Sequence, residues 1–396
     1  MRLHVPVLSP VVLASAAALF ISCTPCTAPQ AQAREPDVEC ASATLSDHDP
    51  APSAQYLDYR SRLHSFATGA GIRVAVIDTG VADHPQIRVV PGPDFVTPEA
   101  PDPLRDCDLH GTVVAGVIAG RELGVAPDAE IYSIRQTSAH YRSPSPQEDS
   151  ASEDSDSSSG TLATLAAAIE DAVEAKAKVI NVSVVSCVPP EAAERVDRSR
   201  LDAALARAED EGVVVVAASG NATSGGCEKG DVVFPAEGDT VLAVGALETP
   251  HDLAGYSLAA PLSAEGAVPL ALAPGGGWAT AKGDVLFQGT SFAAPLVSGT
   301  VALLAQRYPA DSAAQLRARV VDSAEPGHGV VDPLTAVTYR PGTGDSPERS
   351  VAISPAAAET SPRWARVRWL LAGAAALSLF AACRAASAGP PARPRG

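Results

Sequence analysis

Between residues 67 and 340 the chain alternates short apolar runs with longer amphipathic stretches. VAVI (74–77), IYSI (131–134), KVINVSVV (178–185), GVVVVAAS (212–219) and TVLAVGA (240–246) lack the strict two-residue alternation of a half-exposed strand. Such runs predict parallel strands covered on both faces. Between them, TLATLAAAIEDAVEA (161–175) and SRLDAALARAEDE (199–211) carry apolar residues at helical spacing. The alternation predicts an α/β fold, a parallel β-sheet flanked by helices. GTSFAAPLVSGTVALLAQRY (289–308) reads as a strongly apolar helix, with Pro295 expected in its opening turn, where a missing N–H costs little.

The flanks break this pattern. Arg2, the apolar run 11–22 and Ala31-Gln32-Ala33 predict that residues 1–33 are a cleaved export signal. Phe20-Ile21-Ser22-Cys23 offers a looser alternative, a lipoprotein box in which Cys23 would be lipidated, although Phe fits its first position poorly. Residues 34–66 form a polar extension, and 141–160 a Ser-rich acidic insertion without periodicity, expected to be a flexible surface loop. Residues 341–363 read as a linker.

WLLAGAAALSLFAAC (369–383) is uncharged, with arginines on both sides. Its fifteen residues span about 22 Å as a helix, short of the ~30 Å of a bilayer core. The small residues beyond it and a snorkelling Arg384 lengthen it, so 364–384 are expected to be a single transmembrane anchor rather than an interfacial helix. Trp364 and Trp369 suit a membrane interface. With an export signal in front, the domain falls outside the cell membrane and residues 385–396 form a cytoplasmic tail.

A hydrophobic content of 46% supplies a core, and a net charge of −17 without a basic cluster in the central region argues against a nucleic-acid partner. Of seven cysteines, Cys40, Cys107, Cys187 and Cys227 lie outside the signal and the anchor. In an exported domain they predict two disulfides, with three pairings open. No metal-ligand spacing survives in the mature part, so neither metal nor cofactor is expected.

The chemistry starts at Asp78-Thr79-Gly80, where a buried strand ends. An aspartic protease, a serine protease and a plain turn all use such a tripeptide. His110 follows thirty-two residues later in DCDLHGTVVAGVIAG (106–120), Asn221 closes the strand segment ASGN (218–221), and Ser291 opens the apolar helix. A serine needs a base to become a nucleophile, which assigns His110 to Ser291. The base needs a carboxylate to fix its tautomer, which assigns Asp78. An oxyanion needs preorganised donors, and the Asn221 amide with the Ser291 N–H at a helix start is suitable. No second Asp-Thr-Gly or Asp-Ser-Gly exists for an aspartic dyad.

At VIDTGV, HGTVVAG, GVAPDAEI, VINVS and GTSFAAPLVSG the chain resembles the subtilisin-like serine proteases, over roughly residues 70–338. The order Asp, His, Ser is that of subtilisin. SIRQTS, DCDLHGT and VINVSVVSC resemble the mycosins, membrane-anchored subtilases attached to type VII secretion systems of actinobacteria. The resemblance implies disulfides Cys40–Cys107 and Cys187–Cys227, protein substrates and a secretion-complex partner. It also implies an N-terminal extension that wraps the domain and no calcium sites.

Departures from typical subtilisins shape the expectation further. Only 44 residues separate the signal from Asp78, which leaves no room for a folded pro-domain. Ser183-Val184-Val185 stands where many subtilisins read Ser-Leu-Gly; a β-branched residue there is expected to crowd the substrate floor and narrow specificity. Gly160 lies on the opposite rim in the subtilase pattern, beside the acidic insertion. His84 is expected to be structural, His140 and His251 to lie at the surface, and Cys107 to be half of a disulfide rather than a nucleophile. The expected function is a membrane-anchored endopeptidase of narrow range that processes exported proteins. The alternative is a mainly structural subunit of the secretion complex.

Overall fold

The uninterrupted apolar runs become the centre of one sheet. The computed structural model describes residues 34–141, 160–223, 226–281, 287–340 and 362–387. The expected signal, nearly all of the acidic insertion, most of the linker and most of the tail lie outside these residues. In chain order the elements are β1 (Thr44–Leu45), α1 (Ala54–His64), β2 (Arg73–Asp78), β3 (Arg88–Asp94), α2 (His110–Ala119), β4 (Glu130–Arg135) and α3 (Leu162–Glu174). Next come β5 (Val179–Val182), β6 (Ser186–Val188), α4 (Pro190–Ala193), α5 (Ser199–Asp210), β7 (Val214–Ala218), β8 (Val232–Phe234), β9 (Val241–Thr249) and β10 (Asp252–Leu253). The last are β11 (Leu262–Glu265), β12 (Ala271–Leu272), β13 (Trp278–Thr280), α6 (Thr290–Arg307), α7 (Ala313–Ser323), α8 (Pro333–Thr338) and α9 (Pro362–Ser387).

An eight-stranded sheet runs β10-β9-β7-β5-β2-β4-β3, with β11 also paired to β9. Every pairing in it is parallel except that of the short β10. Connections leave β2 toward β3 on one side and, after β4, toward β5 on the other. That change of direction opens a crevice at the carboxyl ends of β2 and β5.

Strand periodicity decides which side chains reach the crevice. Val74 and Val76 pack with α2 and α6 on one face, Ala75 and Ile77 with α3 and α5 on the other. By the same two-residue period Asp78 projects to the α2/α6 face. In β5, Val179 packs on that face too, and Asn181 accepts there from the Ser298 hydroxyl of α6 at 2.8 Å.

Two expectations are corrected. The apolar run 178–185 does not continue as one strand: β5 ends at Val182, and Ser183–Val185 leave the sheet before β6 pairs antiparallel with β8. Pro295 lies not in the first turn of α6 but in the second, inside the helix.

Residues 34–66 hold tightly to the domain. Asp37 and Val38 donate backbone N–H groups to the His140 carbonyl, Ala41 donates to Cys107, and Cys40 is disulfide-bonded to Cys107. β1 pairs antiparallel with β13. Helix α1, which the polar sequence did not announce, is capped by Ser53 and docks by polar contacts: Tyr56 to the Leu123 carbonyl, Arg60 to those of Arg121 and Gly124, and Tyr59 to Asp332. Cys187 is bonded to Cys227.

Residues Gly342–Gly396 form a separate unit containing α9. Its Val367–Arg384 segment is long and apolar enough to cross a membrane, and Trp369, Leu370, Leu371, Leu377, Leu379 and Phe380 are all exposed.

Candidate active site

The carboxyl end of β2 delivers Asp78, fully buried, to the start of α2. There His110 Nδ1–H donates to Asp78 Oδ1 at 2.6 Å. Helix and strand approach closely because residue 111 is glycine; a Cβ there would lie 2.0 Å from the Gly80 carbonyl oxygen. Asp78 Oδ1 also accepts the Thr79 N–H at 2.8 Å, which fixes the carboxylate plane. The residue before His110, Leu109, holds φ at 63°, a left-handed conformation that branched L side chains seldom adopt. The imidazole is about a quarter exposed, and its ring packs on Phe292 with centroids 5.1 Å apart. Burial works against its protonation, but the charge and hydrogen bond of Asp78, helped by Asp106 and Asp108, outweigh it and hold the His110 pKa above the ordinary value.

Phe292 follows Ser291, so the stacking sets His110 against the first turn of α6, where Ser291 is half-buried. Among the described residues neither the Ser291 hydroxyl nor its N–H has a hydrogen-bond partner. A serine–histidine contact is often loose without substrate. Asn221, just beyond β7, accepts the Thr290 N–H at 3.0 Å and the Thr290 hydroxyl at 3.1 Å through Oδ1. These bonds fix the orientation of the amide and leave Nδ2 toward Gly289, where a Cβ would come within 3.0 Å of it. Among the described residues Asn221 Nδ2, beside Gly289, and the Ser291 N–H are thus two donors without a partner at the start of α6.

The other expected substrate residues divide. Ser183 is buried, and its hydroxyl accepts from Asn181 Nδ2 and donates to the Ser291 carbonyl, both at 2.8 Å. Val184 and Val185 are half-buried; Val185 packs with Cys187, Cys227, Val233 and Leu258 under the Gly220–Asn221 corner. Gly160 lies against Gln136, where a Cβ would fall 1.7 Å from Nε2. His84 is structural, Nδ1 accepting from the Gln86 N–H and Nε2–H donating to the Gly277 carbonyl. His251 is exposed, as expected. His140 is not a surface side chain: it is largely buried, with Nε2 4.0 Å from Asp108.

Sequence reasoning passed over Thr79, Asp106, Thr290 and Asn181, whose partners lie far away in the chain. Asp106 stands inside the quoted DCDLHGT motif and is buried, and burial pushes its carboxyl up to about 6. Among the described residues no group of three or more His, Cys, Asp or Glu side chains is placed to hold a metal ion.

Fold and site define a class. The Subtilase family profile matches residues 69–349, and the chain belongs to that family, the subtilisin-type serine endopeptidases. It is 35% identical over 379 residues to mycosin-1 of Mycobacterium tuberculosis, covering 84% of each chain. With subtilisin DY of Bacillus licheniformis it shares 33% identity over 265 residues, 65% of this chain and 84% of that one. A crystal structure of MycP1 from the ESX-1 type VII secretion system superposes with a TM-score of 0.69 at 32% identity, over 80% of this chain and 93% of that one. A chain in the structure of an intact ESX-5 inner membrane complex matches with a TM-score of 0.67 at 30% identity, over 90% and 94%.

Proposed function

We propose that this chain is a membrane-anchored serine endopeptidase of a type VII secretion system, with Ser291 as nucleophile, His110 as base and Asp78 as its orienting carboxylate. The observation that carries the reading is the 2.6 Å Asp78–His110 bond set against a helix start that presents a serine and two unpaired donors. His110 takes the Ser291 proton at Nε2 as Oγ attacks the peptide carbonyl carbon. The carbonyl electron pair moves to oxygen, which Asn221 Nδ2 and the Ser291 N–H receive. His110 then returns the proton to the leaving amine, and a water repeats the sequence to release the acid.

Residues 1–33 act as export signal and 364–384 as anchor, with the catalytic domain outside and 385–396 inside. The apolar, exposed α9 supports the anchor. The narrow range is inferred from Val184 and Val185 standing where many subtilisins read Leu-Gly. A peptide library cleaved as broadly as by a degradative subtilisin contradicts that narrow range.

The match to a chain of an inner membrane complex favours a second reading, a structural subunit in which proteolysis is secondary. A mass-spectrometric census of secreted protein N-termini separates the two, comparing parent, Ser291→Ala and deletion strains. A processing protease loses specific N-termini in Ser291→Ala while secretion continues. A scaffold shows no change in Ser291→Ala and loses secretion only in the deletion.

A further inference from the structure

Asp106 is a buried carboxylate to which the reaction above gives no part. Its Oδ2 accepts the N–H of Thr112 at 2.8 Å and the Thr112 hydroxyl at 2.6 Å, in the first turn of α2. Its Oδ1 accepts the Thr79 hydroxyl at 2.8 Å. The same Thr79 oxygen lies 3.2 Å from Asp78 Oδ1 and accepts the Gly111 N–H at 3.0 Å. A hydroxyl has one proton to give, so Asp106 and Asp78 compete for it, and the shorter contact is to Asp106. Asp78 Oδ1 already receives His110 Nδ1–H and the Thr79 N–H. A third donor would draw charge from the oxygen that holds the imidazole.

We propose that Asp106 is a positioning residue for the Asp78–His110 pair: it holds the Thr79 hydroxyl proton and so keeps Asp78 Oδ1 fully available to His110. The inference rests on the endopeptidase reading of the site. Removing the Asp106 charge acts on His110 in one direction by two routes. A nearby negative charge disappears, and the Thr79 proton turns to Asp78; both lower the proton affinity of the imidazole. The charged groups facing His110 are Asp78 from β2 and Asp106 and Asp108 from the loop before α2, while α6 contributes the apolar Phe292. Asp108 is a natural control. It accepts from the Ser138 hydroxyl at 2.6 Å and the Ala139 N–H at 2.8 Å, faces His140, and has no link to Thr79.

The test follows His110 by nitrogen-15 NMR titration in the full-length protein in detergent, and the pH dependence of Ser291 labelling by a fluorophosphonate. In Asp106→Asn the amide oxygen can still serve Thr112, while its NH2 group faces Thr79 and turns that hydroxyl to Asp78. The expected result is a His110 pKa lowered by about half a unit or more, with the acid limb of labelling moved by the same amount, and a smaller shift in Asp108→Asn. An unmoved His110 in Asp106→Asn overturns the proposal, and equal shifts in the two variants overturn the Thr79 link.

Should Asp106→Asn not fold, Thr79→Ala decides: an unchanged His110 pKa fits a hydroxyl that serves Asp106, and a raised one contradicts it. Wild-type protein that never labels at Ser291 defeats the endopeptidase reading itself, whatever the NMR titration gives.

Discussion

The Ser183 hydroxyl donates to the Ser291 carbonyl at 2.8 Å, on the one carbonyl of α6 that Pro295 leaves without its helical donor. Residue 295 has no N–H for the carbonyl four residues back, and its ring tilts that carbonyl away from the helix axis. Ser183, the residue just after β5, supplies the substitute and is itself held by Asn181 of β5, which also accepts from Ser298. The Ser291 backbone is thus fixed by the segment that leaves β5. Ser183→Ala should cost about 1–3 kcal/mol, since it leaves the half-buried Ser291 carbonyl and the buried Asn181 amide without this partner, and should lower kcat more than it raises KM. Adding Pro295→Ala should restore part of the stability by supplying the missing N–H. Chemical denaturation of the single and double variants measures both.

His110 must be neutral to act as a base, and its pKa lies above the ordinary value. The acid limb of kcat/KM is therefore expected above pH 6.5, with activity falling as pH drops through it. Asp78→Asn should move that limb down and depress the plateau. Initial rates on one peptide from pH 5 to 9 test this.

On the proposed mechanism Asn221 has two tasks that one substitution separates. Asn221→Asp keeps an oxygen for Thr290 and loses the Nδ2 donor. It should lower kcat by about 10²–10³-fold, a magnitude known from the corresponding donor in subtilisin, with little change in KM. Asn221→Ala should also release Thr290 from the Gly289 turn and lower Tm. Thermal melts alongside kinetics distinguish the two.

Asp106 makes stability depend on pH. Its carboxyl titrates at about 6 in the fold and near 3.9 when unfolded. Between those values the native state keeps a proton that the unfolded state has lost, so stability falls as pH rises through this window, by up to about 3 kcal/mol. Asp106→Asn lacks this dependence, and its stability relative to wild type should rise between pH 4 and pH 7. Urea unfolding at the two pH values reads the difference.

The Cys40–Cys107 bond closes a loop of 67 residues and ties the extension three residues before His110. Replacing both cysteines by serine should cost about 4 kcal/mol on the chain-entropy account and expose residues 34–45 to limited proteolysis. Fragment mapping after brief treatment with a protease of broad specificity, such as proteinase K, checks the second effect.

The parallel sheet was legible because strands buried on both faces leave continuous apolar runs, as β2 and β7 do. The positions of Asp78, His110, Asn221 and Ser291 near element ends were legible because each stands in a short motif. Helix α1 was not, since Leu63 is its one buried residue and the rest docks through Tyr56, Tyr59 and Arg60 rather than through an apolar stripe. The Ser183–Ser291 and Thr79–Asp106 bonds join residues 108 and 27 positions apart, and no local pattern encodes such pairs. Pro295 was misplaced because periodicity gives no helix start to within a turn.

The central claim is that Asp78 and His110 activate Ser291. Fluorophosphonate labelling at pH 8, mapped by peptide mass spectrometry, tests it most directly in wild type, Ser291→Ala and His110→Ala. The account predicts one adduct, on Ser291, with labelling slowed at least about 10³-fold in folded His110→Ala. No adduct in folded wild-type protein, or equal labelling rates with and without His110, would contradict it.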